Sequence, residues 1–190
     1  GPLASPNPSP TPQPAGPAAV GPVRSPHTGH VYYAVLAART ITGEAAEAAA
    51  GTMQFEGAQG YLAAITSDEE GQFLLSQFPF AHRDFWLGGK APRLPDGADP
   101  AAWSWSWSTG EEWRYTSWLE TGPDRSKPVT RWRTLTMSAS ILSPLWGKPQ
   151  SRLMWAGATA GSHRTGFIVE FDPTDPASSL PLSEDGLNKS

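Results

Sequence analysis

The chain has no cysteine in 190 residues, which excludes thiol nucleophiles, disulfide staples and thiolate metal ligands together. Acidic residues are missing from one long stretch as well. Forty-five residues between Asp124 and Glu170 contain no Asp or Glu, yet carry Arg125, Lys127, Arg131, Arg133, Lys148, Arg152 and Arg164. That stretch is +7, whereas the remainder, with 7 basic against 18 acidic residues, is −11, so the net charge of −4 conceals a molecule of two signs. No run approaches the roughly 18–20 apolar residues of a membrane-spanning helix, and no charged-then-apolar signal peptide opens the sequence. Gly1-Pro2 resembles the remnant of a protease-cleaved tag, so the missing signal leaves export undecided.

Catalytic patterns are also scarce. His27 and His30 flank a proline-rich stretch, and His82 and His163 stand in expected loops without recognisable partners. Ser162 and His163 are adjacent, not placed across a cleft as a serine–histidine pair requires. Glu111 and Glu112 are neighbours that a strand would point to opposite faces. No phosphate-cradling glycine loop or histidine-based metal spacing is present. An enzyme is therefore not expected. Nor is nucleic acid expected as a partner, because the acidic remainder works against a broad basic footprint.

What the sequence does contain divides into three parts. Residues 1–29 hold nine prolines, alternating from Pro6 to Pro14, and read as an extended, solvated spacer. Residues 30–172 form the expected domain, and residues 173–190, with Pro173, Pro176 and Pro181 among small polar residues, read as a loose tail. Such tails suit a module within a longer polypeptide. A hydrophobic content of 38% with nine Trp is enough for one sizeable core.

Within the domain, Val31 to Val35 reads as an opening strand. Thr42 is placed to cap a helix through Glu44 to Ala50, with Gly51 as its stop. Tyr61 to Ile65 reads as a short buried strand, and Ser67-Asp68-Glu69-Glu70 as a capping box opening a second helix that buries Phe73, Leu74 and Phe78. Trp103, Trp105 and Trp107 alternate with serines, which places three rings on one strand face. Phe167 to Phe171 closes the domain as a strand. Two helices followed by short aromatic strands and long loops argue for an α+β fold.

The order of these segments resembles the C-type lectin-like domain. Gly60 to Glu70 is similar to the family's strand-into-second-helix segment, and Phe85-Trp86-Leu87-Gly88-Gly89 to its Trp-Ile-Gly core motif. Trp105-Ser106-Trp107-Ser108-Thr109-Gly110, with Tyr115 to Trp118, is similar to the strand and Tyr-x-x-Trp that lead into its long loop. Gly166 to Phe171 is similar to its terminal strand. The resemblance implies two helices packed on short antiparallel sheets with a long irregular loop region, and the missing half-cystines fit a bacterial style of member with a tryptophan-rich interior.

The resemblance also implies where ligands bind. In sugar-binding members, oxygens beside a loop Pro, a separate Glu and a Trp-Asn-Asp hold the calcium that holds the sugar. Here the first position reads Gly122-Pro123-Asp124 and the second Trp155-Ala156-Gly157, so most of those oxygens are gone. No metal or other cofactor is therefore expected at the usual site, with calcium-dependent sugar binding as the alternative. The loop instead interleaves cations with indoles, which suits stacking on a sugar while a guanidinium grips an anion. Arg131, Arg133, Lys148, Arg152 and Asp124 are the expected polar contacts and Trp146 the stacking face, whereas Trp132 and Trp155 are expected in the core. The expected partner is an extracellular glycan, an acidic one fitting best, or a cell-surface protein, at an extracellular or cell-surface location. Glu170 on the terminal strand is expected in a structural salt bridge, the resemblance also allowing a secondary calcium site with Glu70.

Overall fold

The computed structural model describes residues 18–78, 84–92, 104–118, 137–141, 153–159 and 161–173. The alternating prolines before Ala18 and the tail after Pro173 lie outside the described residues. The elements run β1 (Ala18–Arg24), β2 (Val31–Thr42), α1 (Gly43–Thr52), β3 (Gln54–Phe55), β4 (Ala58–Gln59), β5 (Tyr61–Leu62), α2 (Asp68–Gln77), β6 (Phe85–Ala91), β7 (Ser106–Trp107), β8 (Met137–Ile141), β9 (Trp155–Thr159) and β10 (His163–Phe171). Two helices with one large, mostly antiparallel sheet give the α+β architecture that the sequence implies.

The main sheet has the order β1-β2-β10-β6-β8-β9, with β5 also pairing β10 and β7 also pairing β6. The late strand β10 lies at its centre, antiparallel to β2 from Phe171↔Val31 to His163↔Thr42. On its other side it is parallel to β6 at Gly166 and Phe167 and antiparallel to β5 at Val169 and Glu170.

Both faces are buried at the centre of the sheet, which explains why β6 and the second half of β10 read as largely apolar runs. Tyr32, Ala34, Phe85, Leu87 and Ile168 point into one core with Leu74 and Phe78 from the α2 side. Their neighbours Val31, Val35, Trp86, Phe167, Val169 and Phe171 point into the other with Ala46 and Ala50 of α1. The split follows from the two-residue period of a strand. Glu170 shares the parity of Ile168 and therefore enters the α2-side core, where it is 0% exposed.

Several boundaries differ from the sequence reading. The spacer read over residues 1–29 is too long, because Ala18–Arg24 pairs with β2. Its Pro22 sits in the register break between Val20 and Val23 of an edge strand, where a missing N–H is tolerated. The strand read as opening the domain is thus the second, and it continues to Thr42. Helix α1 is capped by Thr42, whose hydroxyl accepts from the Ala45 N–H at 3.2 Å, but it runs through Gly51 to Thr52. The strand read at Tyr61 to Ile65 ends at Leu62, since the Ala64 N–H leaves the ladder to donate to the Glu170 carboxylate at 2.8 Å. Of the alternating Trp–Ser strand, Trp103 lies outside the described residues, and among those described Ser106–Trp107 is paired. Glu111 and Glu112 are not on a strand; Glu111 accepts from the Thr109 hydroxyl at 2.9 Å and Glu112 meets Arg114 at 2.6 Å.

Candidate functional site

The loop end of the domain is sewn together by residues 104–118 and 153–159. The Trp155 N–H donates to Ser117 O at 3.0 Å, and the Ser117 hydroxyl donates to Leu153 O at 2.7 Å. Trp118 bridges Trp155 in parallel. The indoles then cluster: Trp155 meets Trp107 edge-on at 5.9 Å, Tyr115 at 5.8 Å and Trp118 at 6.0 Å. Trp113 packs on Trp107 at 4.3 Å and stacks on Trp105 at 5.8 Å. Trp155 is 0% exposed, so its expected core role holds. Among the described residues, the buried indole N–H groups of Trp105, Trp107 and Trp155 have no hydrogen-bond partner.

This cluster fixes the backbone at the second position where sugar-binding relatives carry oxygens. Ala156 and Gly157 lie in β9, paired with Ser140 and Ala139 of β8, and neither has a side-chain oxygen. Trp155 is a core anchor, and Ala156 and Gly157 after it extend the strand.

The polar contacts expected in the long loop, Asp124, Arg131, Arg133, Lys148 and Arg152, lie outside the described residues together with Trp146 and Trp132. Of the cations in the +7 stretch, Arg164 is described. Its guanidinium lies 5.1 Å from the centre of the Trp86 ring, a cation–π contact, and burial lowers its pKa against the opposing charge of Asp84.

A second cluster lies beneath the sheet, and its key member was not legible in advance. Glu170 Oε1 is 2.5 Å from His30 Nδ1, so the expected salt-bridge partner is an imidazole 140 positions earlier. Glu70 is also buried, 1% exposed. Its Oε2 accepts from the Thr66 N–H at 2.7 Å and the Thr66 hydroxyl at 3.1 Å, and its Oε1 accepts a short bond from the Tyr32 hydroxyl. The capping box is therefore only half formed. Ser67 accepts from the Glu70 N–H at 3.1 Å as expected, but the Glu70 side chain turns to the residue before the cap and to the core.

Electrostatics follow the geometry. The hydrogen bond to Glu170 raises the His30 pKa to about 9, against the lowering effect of burial and with help from the charges of Glu170, Asp172 and Glu111. Burial raises Glu170 to about 7, opposed by its bond to His30 and reinforced by Glu70 and Glu111. Tyr32 is pushed far up by burial beside the two carboxylates, so its hydroxyl stays a donor.

Candidate ligand atoms of His30, Glu70 and Glu170 lie within 4.8 Å of one another, close enough to share an ion. They do not suit calcium, which takes about six to eight oxygens. One of the three atoms is an imidazole nitrogen, and all four carboxylate oxygens already accept hydrogen bonds from Tyr32, Thr66, Ala64 or His30. Nothing in the arrangement pairs a nucleophile with a base across an open cleft.

No protein-family model matches the sequence, and comparison with curated proteins finds no match. Solved structures do match in fold. CEL-I, a C-type lectin from Cucumaria echinata, is 14% identical with a TM-score of 0.51, over 75% of this chain and 90% of that one. Ovocleidin-17, a major protein of the Gallus gallus eggshell calcified layer, is 20% identical with a TM-score of 0.52, over 79% and 95%. A Ca²⁺-dependent type II antifreeze protein in its Ca²⁺-free form is 22% identical with a TM-score of 0.50, over 75% and 91%. With β10 at the centre of its sheet, two helices among the described residues and an indole-anchored loop end, this chain has a C-type lectin-like fold, built without cysteine.

Proposed function

We propose that the chain is a non-enzymatic recognition module that binds an extracellular, acidic glycan through its basic long loop, without calcium at the family's usual position. The observation that carries this reading is the sequence Trp155-Ala156-Gly157 in β9. The anchor indole is retained, and the two side chains that would supply oxygens to an ion are a methyl group and a hydrogen. The nearest upstream carboxylate in sequence is Asp124, inside a segment whose cations oppose the addition of another. Arg131, Arg133, Lys148 and Arg152 would grip anionic groups and Trp146 would stack on a sugar face, as guanidinium and indole chemistry favours. The fold neighbours support a binding role in general, being named as a lectin, an antifreeze protein and an eggshell protein.

Glycan-array binding with and without chelator tests this. The expected result is a signal on sulfated or carboxylated glycans that survives chelation and weakens as salt rises from about 0.05 to 0.5 M, because exposed charges are screened over about 10 Å or less. A signal abolished by chelator would overturn it in favour of the calcium mechanism. Absence of any glycan signal would overturn it in favour of a protein partner, for which Trp and Arg are equally suited.

A further inference from the structure

We propose that His30 is a built-in cation, its imidazolium standing between carboxylates where a divalent ion could otherwise sit, so that the joint of the β1–β2 hairpin, α2 and β10 is a latch governed by a proton rather than by a metal. The inference stands apart from the ligand reading.

The geometry suits a doubly protonated ring. His30 Nδ1 is 2.5 Å from Glu170 Oε1, and His30 Nε2 is 3.5 Å from Asp172 Oδ2. With Glu170 and Asp172 both ionised, a neutral imidazole, having one N–H, would set a bare nitrogen lone pair against one of them, whereas the imidazolium presents N–H to both. Among the described residues, the other ionisable groups that face the ring are acidic in type. Glu170 and Asp172 come from β10 and its end, Glu111 from the 104–118 segment and Glu70 from α2. The Tyr32 hydroxyl, from β2, gives its proton to Glu70 as a hydrogen bond and adds no cation. Arg24, on the same hairpin, is engaged elsewhere, with Gly29 O at 3.0 Å and Glu56 at 2.9 Å.

The hairpin turn is shaped to deliver that ring. Ser25 N–H donates to His30 O at 2.8 Å and Gly29 N–H to Ser25 O at 2.9 Å, while the Ser25 hydroxyl accepts from the His27 N–H at 3.2 Å. His30 is thus held at the mouth of a cluster whose inner members, Glu70 and Glu170, are almost wholly buried. Loss of the proton would leave those carboxylates facing each other without a counter-charge, and the least costly response is for the turn to lift away so that water reaches them. The raised His30 pKa agrees with this, and its sign sets the direction. The latch is closed at neutral pH and opens as pH climbs through about 9.

Side-chain ¹⁵N NMR of the full chain over a pH series tests the latch, with His30 assigned by its absence from His30→Gln or, if that variant does not fold, by through-bond correlation to its own backbone amide. At about pH 7.5, roughly nine-tenths or more of His30 should carry protons on both nitrogens. The amides of Arg24, Ser25, His27 to His30, Ala64 and Thr66 should shift with the same alkaline midpoint, and millimolar calcium should change neither signal. A singly protonated ring at neutral pH overturns the proposal, and so does calcium that displaces the ring's proton.

Discussion

Glu170 sits in a strand segment whose other members, Phe167, Ile168, Val169 and Phe171, are all buried, and a carboxylate in such surroundings persists only if its oxygens are satisfied. Both are, one by Ala64 N–H and one by His30. Glu170→Ala should therefore lower stability by about 3–5 kcal/mol, the range for removing one member of a buried pair, read from the urea midpoint. Glu170→Gln should cost less, because its carbonyl can still accept from Ala64. A loss from Glu170→Ala below about 1 kcal/mol would show that the pair contributes little. Part of this was legible: a charge inside an apolar strand demands a partner, and the pairing with a salt bridge followed from that. The partner's identity was not, because His30 lies in a turn beside prolines, and only the antiparallel register of β2 with β10 brings it there. The proposed ligand contacts, from Asp124 to Arg152, were legible only as charge and residue type.

Among the elements, the helices were the easiest to place, since Thr42 and Ser67 announce their starts by capping chemistry and both do cap. The strands were harder to bound. Where β5, β6 and β10 converge, tertiary hydrogen bonds decide which residues remain in a ladder, and local sequence carries no record of that. Glycine marks the crowded points. A Cβ at Gly166 would lie 2.1 Å from Val35 O and 2.6 Å from the Phe85 ring, and one at Gly88 would lie 2.3 Å from Leu62 O. Gly161 has open space around it. Gly166→Ala should cost at least about 1–3 kcal/mol, the usual range for overpacking, whereas Gly161→Ala should stay within about 0.5 kcal/mol. Thermal melting of the two variants checks the contrast, and equal melting points would contradict the close β2–β10–β6 approach.

The whole molecule has an uncommon dependence on acidity. Glu170, raised to about 7 from an ordinary 4.5, holds a proton more tightly folded than unfolded, so its contribution is lost as pH rises between those values. His30, raised from 6.5 to about 9, contributes fully below 6.5 and loses that contribution as pH rises through 9. Both slopes have the same sign, because in each case the native state binds more protons than the unfolded chain. The melting temperature should be highest in mildly acidic solution and fall steadily from about pH 5 to about pH 9, which calorimetry across that range will show. A maximum at alkaline pH would contradict the assignment of the buried centre. At this scale the two-signed charge was fully legible in the sequence, while the α+β fold followed from segment order and residue type. The placement of β1 did not, because its one proline, Pro22, continues the proline pattern of the spacer before it.

Because β10 is both late in the sequence and central in the sheet, Val31, which pairs with Arg24 on one side, must wait for Phe171 before it gains its second neighbour. During synthesis on a ribosome, the segments from β2 to β9 emerge with two bare edges and an unmet carboxylate pocket. The nascent polypeptide is accordingly open to mispairing until β10 slides in, a long-range closure of the kind that is intrinsically slow.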